Sequence, residues 1–299
     1  MRLSVLATLI GLLAAVGRPA FVQGQVAPAN GVQTPVPPVS IYKSERREVG
    51  GASAADSMPR VLYVALPESY RDSVTKRYPV VFTLDGDGVF GMASGIERLL
   101  VLGREIPEII LVGVANGIPF LETVPFRWRN FPPTPTAAHP GSGHASELLA
   151  YLTREVVPLV DSLYRTVPSD RTLLGLSRSG LFVLYALYEQ QGVFRRIVAA
   201  SPEVIWDNKY LFRRDSTFAA SKRSLPVSLY VSVGGEELAR PFGAAVKEFG
   251  DLLNARKYDG MNLLVETLPG ETHSSATGTA IAHGLKAVFR DSRRPLATY

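Results

Sequence analysis

Cysteine is absent from the 299-residue sequence. Disulfides, thiolate metal sites, a cysteine nucleophile and a lipid-bearing cysteine are therefore all excluded. Histidine is scarce, with four copies, so imidazole chemistry must use His139, His144, His273 or His283. Long runs of one charge are also missing. Lys and Arg stand alone or in pairs such as Arg46–Arg47 and Arg213–Arg214, and they are not interleaved with aromatics. That pattern describes solvated faces and argues against a nucleic-acid partner. The sequence contains no internal repeats.

The opening segment "MRLSVLATLIGLLAAVGRPAFVQGQ" has a basic start and an apolar run that is interrupted by Arg18 and too short to span a bilayer comfortably. It reads as a signal peptide over residues 1–24, cleaved after Gly24, with an uncleaved anchor as the alternative. Removing Arg2 and Arg18 lowers the formal charge from +5 to +3. An exported chain without disulfides suits a bacterial periplasmic or secreted location, with no stable membrane insertion of the mature chain. Residues 25–38, "VAPANGVQTPVPPV", read as an extended Pro-rich linker. A single domain is expected over 39–299, where 46% overall hydrophobic content suffices for a large core.

Within that domain, apolar runs ending in Gly, Asp or Asn alternate with helical periodicity. The runs are "RVLYVALP" (60–67), "YPVVFTLDG" (78–86), "PEIILVGVAN" (107–116), "RTLLGLS" (171–177), "RRIVAASP" (195–202), "PVSLYVSVGG" (226–235) and "MNLLVETLPG" (261–270). Helical patterns cover 145–164, 180–192, 239–258 and 279–292. The alternation predicts an α/β fold, a doubly wound and mostly parallel sheet with helices on both faces. Residues 118–143 break the rhythm with Pro, Gly and aromatics, which predicts a long loop over the carboxyl ends of the strands.

Between strand and helix, "GLSRSG" nearly spells G-x-S-x-G, the elbow that mounts a nucleophilic serine. Ser177 is its candidate nucleophile, flanked by Gly175 on one side and by Ser179 where the second glycine belongs. Gly180 follows and lets the helix pack closely. Glu237, or alternatively Glu236, at the end of a later strand supplies the acid. His273, on the loop after the last strand, supplies the base. The order serine, acid, histidine is that of α/β hydrolases rather than of chymotrypsin or subtilisin. An oxyanion hole needs two backbone N–H groups. One is expected from Arg178, and the other from Asp87 in "LDGDGVF". The D-x-D-G spacing lacks the rest of a calcium loop, so no metal is expected. Arg127, Trp128 and Arg129 are candidate substrate contacts. With Arg178, the two loop arginines would favour an anionic or catecholate ester, and solvated rim arginines are the alternative.

These segments together resemble the esterase family of α/β hydrolases that includes enterochelin (siderophore) esterases and esterase D-like enzymes, and more distantly the mycolyltransferases. The resemblance spans most of residues 60–290. It implies the α/β-hydrolase fold, a Ser177–Glu237–His273 triad, an oxyanion hole from Asp87 and Arg178, and hydrolysis of a small-molecule carboxylic ester without a cofactor. Members usually carry G-H-S-x-G-G at the elbow, so Leu176 and Ser179 are departures. Acyl transfer to another alcohol, and a non-enzymatic binding protein with a degenerate elbow, are the alternative functions.

Overall fold

The structure, a computed structural model, describes residues 40–49, 58–189 and 192–292. The expected signal peptide and the linker at 25–38 lie outside the described residues. Eight strands form one sheet: β1 (Ser44–Glu48), β2 (Val61–Ala65), β3 (Tyr78–Thr83), β4 (Ile110–Ala115), β5 (Thr166–Leu176), β6 (Arg196–Ala200), β7 (Ser224–Gly234) and β8 (Asp259–Leu268). Their order across the sheet is β1-β2-β4-β3-β5-β6-β7-β8. β2 runs antiparallel to both β1 and β4, and every other neighbour is parallel.

The central strands are Val, Ile and Leu runs because both faces of the sheet are covered. Val80, Phe82, Leu173, Ile197 and Val231 point into one core, and Val81, Leu174, Val198 and Tyr230 into the other. The second core is closed by α1 (Gly86–Leu102) and α8 (Ala276–Val288). The first is closed chiefly by α3 (Ala145–Tyr151), α4 (Val157–Leu163), α5 (Arg178–Glu189), α6 (Trp206–Ser221) and α7 (Pro241–Arg256). A short helix, α2 (Val124–Asn130), lies before α3.

Three expectations are corrected. The stretch 118–143 is not a plain loop, since it contains α2 with Pro125 in its first turn, where the missing N–H costs nothing. The helix expected over 145–164 is divided by a π-turn at Leu152–Val156, just before Pro158 at the start of α4. β1, α1 and α6 were not expected at all. In α6 the first turn winds left-handed at Asp207, Asn208 and Lys209.

Candidate active site

The residues singled out above converge because the loops that carry them all leave the carboxyl ends of neighbouring strands, where open α/β sheets form their clefts. Ser177 follows β5 and takes φ +58°, a left-handed conformation that is costly for a residue with a Cβ. The turn is fixed from both sides. The Ser177 N–H donates to Ala200 O at 2.9 Å, and the Ser177 carbonyl accepts from Leu181 N–H at 3.0 Å and Glu203 N–H at 3.0 Å. Gly175 is obligatory, because a Cβ there would sit 2.3 Å from the carbonyl oxygen of Ser179. At Gly180 a Cβ would lie 3.0 Å from Pro202 Cα, so the close helix packing expected there is present.

Glu237 lies just past β7 and is only 6% exposed. Its Oε1 is 2.6 Å from His273 Nδ1. Its Oε2 accepts from Gly234 N–H at 2.8 Å and from the Ser201 hydroxyl at 2.6 Å. A buried carboxylate satisfied in this way holds one imidazole tautomer, with Nδ1 protonated and Nε2 free to accept a proton. Phe242 packs edge-on against the ring at 5.2 Å. Glu236, the alternative acid, is exposed, and its backbone N–H is bound to Glu271 O. Of the two carboxylates, the geometry brings Glu237 to the histidine.

Ser177 and His273 line one cavity of about 340 Å³, together with Asp85, Val89, Met92, Phe120, Arg127, Leu176 and Ser201 among others. Among the described residues no hydrogen bond joins the Ser177 hydroxyl to the ring. Such bonds commonly tighten only in the substrate complex. A second cavity of about 470 Å³, lined by Glu236, Arg240, Phe242 and Thr272, shares His273 and Ser274 with the first.

The family model described as "Putative esterase" matches residues 53–256. The chain belongs to this esterase family. It is therefore a serine ester hydrolase, and the reading of a non-enzymatic protein with a dead elbow falls. Ferri-bacillibactin esterase BesA of Bacillus subtilis is 24% identical over 234 residues, covering 70% of this chain and 78% of that one. A siderophore enterobactin esterase of Emericella nidulans is 30% identical over 184 residues, covering 56% of this chain and 60% of that protein. Among solved structures, the BES protein from Bacillus cereus matches with a TM-score of 0.75 at 19% identity, over 86% of this chain and 99% of that one. Siderophore hydrolase EstA from Aspergillus nidulans matches with a TM-score of 0.72 at 20% identity, over 87% and 98%. These likenesses show the α/β-hydrolase fold.

Within this esterase the expected substrate contacts separate. Arg127 lines the cavity, but its guanidinium is committed to Asp85, with Nε to Oδ1 at 2.8 Å and Nη2 to Oδ2 at 3.0 Å. Trp128 is not in the cavity wall. It stacks on the His139 ring at 3.6 Å and carries the Arg178 guanidinium on its other contact, 3.2 Å from the ring centroid. Arg129 is bound to Asn130, His144 and Glu147. Arg178 is paired with Glu203, Nε to Oε2 at 2.8 Å. Each of Arg127, Arg129 and Arg178 therefore has a carboxylate partner, the Arg129–Glu147 pair being part-exposed. Asp87 turns its carboxylate to the N–H groups of Asn116 (2.7 Å) and Gly117 (2.9 Å), which ties α1 to the end of β4.

Sequence reasoning missed Ser201, Asp85 and Glu203. Ser201 stands at the end of β6 with φ +39°, directly beside the elbow in the sheet, and "AASPE" places it one strand over from Ser177. Asp85, in the same "LDGDG" as Asp87, has φ +56° and is the residue that faces the site. Among the described residues no cluster of His, Asp and Glu could hold a metal ion, and no helix is long and apolar enough to cross a membrane.

Proposed function

We propose that this esterase is exported and hydrolyses a carboxylic ester through an acyl-enzyme on Ser177. The observation that carries the reading is the strained elbow serine sharing a cavity with a histidine whose Nδ1 is held by a buried, fully bonded carboxylate. In this mechanism Ser177 Oγ attacks the ester carbonyl carbon and its proton passes to His273 Nε2. Glu237 keeps the ring oriented and balances the positive charge that develops on it. The negative oxygen of the tetrahedral intermediate is met by the N–H of Arg178 and that of Asp87, each in the first turn of a helix, where amides have no intrahelical acceptor. As the intermediate collapses, His273 returns the proton to the leaving alcohol oxygen. Water then repeats the sequence on the acyl-enzyme, with its proton taken by His273, and frees the acid and Ser177.

The acyl-binding cavity is walled by Val89, Met92, Phe120 and Leu176, which suits an apolar or aryl acyl group. Relatives named as siderophore esterases support a siderophore-type ester as substrate, with carbohydrate-linked acyl esters as the alternative class. Export rests on the opening segment, and the mature chain would begin at Gln25. A panel of nitrophenyl esters, siderophore lactones and acyl sugars tests the function. Pre-steady-state release of one equivalent of nitrophenol, lost in Ser177→Ala, is the expected result. Full hydrolysis by Ser177→Ala would refute it.

A further inference from the structure

We infer that Ser179, which replaces the usual second glycine of the elbow, is a positioning residue whose hydroxyl laces the nucleophile elbow to the turn between β3 and α1. The inference rests on the reading of Ser177 as nucleophile and of these two turns as the walls of the oxyanion hole.

Ser179 is fully buried, and its hydroxyl is not idle. Its Oγ lies 2.7 Å from Asp85 Oδ2 and accepts the N–H of Leu176 at 2.9 Å. A hydroxyl has one proton to give. The carboxylate is a stronger acceptor than the Leu176 carbonyl 3.0 Å away, so the proton goes to Asp85. One side chain thus grips the residue before the nucleophile and, at the same time, the residue that opens α1. Both turns it joins are strained: Asp85 sits at φ +56°, ψ +37°, and Ser177, the residue after Leu176, at φ +58°. Left-handed residues with side chains persist only where their surroundings over-determine them.

Arg127 completes the arrangement from α2. It neutralises Asp85 and brings Nη2 to 3.4 Å from Leu176 O. The Asp85 side chain is 4% exposed, and its oxygens are hydrogen-bonded by these two partners. A glycine at 179 would leave the Leu176 N–H without the hydroxyl that accepts it and would leave Asp85 Oδ2 held by Arg127 alone. The departure from the family pattern is therefore a working part of this chain rather than wear. Ser179 does not line the cavity, so it acts through the placement of the Arg178 and Asp87 amides and not by touching substrate.

The test compares wild type, Ser179→Ala, Ser179→Gly and Asp85→Asn on a nitrophenyl ester, well below each variant's melting temperature. For both Ser179 variants kcat is expected to fall ~10- to 100-fold, the scale of a sub-ångström to ångström misplacement of catalytic groups, while KM moves less than about twofold. Affinity for an arylboronic acid, whose serine adduct places a negative oxygen in the hole, should weaken by the same factor as kcat/KM. The Ser179→Ala/Asp85→Asn double variant should be no worse than the worse single one. Ser179→Gly at wild-type kcat, or a loss confined to KM, overturns the inference. If neither Ser179 variant folds, Asp85→Asn with unchanged kcat and boronate affinity overturns it. Failure of the underlying reading looks different: Ser177→Ala would then retain hydrolysis whatever the Ser179 variants do.

Discussion

Replacing Glu237 by Gln keeps the shape of the side chain and removes its charge. In the resting site the carboxylate accepts three hydrogen bonds, from His273 Nδ1 at 2.6 Å, Ser201 Oγ at 2.6 Å and Gly234 N at 2.8 Å. The amide retains one acceptor oxygen but sets an N–H₂ against a donor, so either the ring loses its tautomer lock or Ser201 and Gly234 lose their acceptor. In the transition state the loss is larger, because the ring becomes an imidazolium facing a neutral group. Two unit charges about 4 Å apart at an effective dielectric constant near 20 attract by about 4 kcal/mol. The His273 side chain is 45% exposed, so screening reduces this to about 2–4 kcal/mol. At 1.36 kcal/mol per tenfold, kcat should fall by roughly 30- to 1000-fold. Steady-state kinetics on a nitrophenyl ester measure it, with KM expected to stay within a few-fold. Glu236→Gln, on an exposed neighbour outside this network, should cost less than about twofold. Equal losses in the two variants, or a larger one in Glu236→Gln, would refute the assignment of the acid.

Three further outcomes follow from the packing. Glu97 on α1 is 6% exposed, and burial, with a smaller contribution from Glu108 against the opposing Arg98, pushes its carboxyl up to about 7. The folded state then holds a proton that the unfolded chain has released, so stability falls as pH rises from about 4.5 to 7, by about 3 kcal/mol in all. Glu97→Gln should accordingly raise Tm by about 5–10 °C at pH 8.5 and leave it unchanged at pH 4, by calorimetry; a gain of equal size at both pH values would contradict this. Gly175→Ala drives a methyl to 2.3 Å from backbone, so denaturant titration should show a loss above about 2 kcal/mol or no folded protein. Arg178→Ala should not change the ratio of kcat/KM between an anionic and a neutral ester by more than about twofold, since Glu203 already occupies the guanidinium; a strong selective loss on the anionic ester would restore Arg178 as a substrate contact.

What could be read from the sequence follows from what buries it. β2 to β7 announce themselves as apolar runs because both faces are covered, whereas β8, at the sheet edge, is buried only at Leu268. β1, "SERRE", is an edge strand whose charges keep it from pairing further, so it carries no apolar signal. α1 was hidden by four glycines within "GDGVFGMASG", and α6 by a left-handed first turn that no periodicity reports. The serine, acid and histidine were legible because their chain order and strand-end positions are fixed by topology. Their partners were not. Ser201 reaches Glu237 only because β6 lies between β5 and β7 in the sheet, and Asp85 rather than Asp87 faces the cavity because the chain turns left-handed there. The partners of the arginines were hidden for a related reason: a formal charge in sequence does not reveal the carboxylate that the fold sets beside it.

The central claim is that Ser177 is the nucleophile, and covalent labelling tests it most directly. Intact-mass measurement after treatment with a fluorophosphonate should show one adduct per chain, mapped by peptide fragmentation to Ser177 and absent from Ser177→Ala. An adduct on Ser201 or Ser274, the other serines of the cavity wall, or no adduct on folded wild-type protein, would contradict the account.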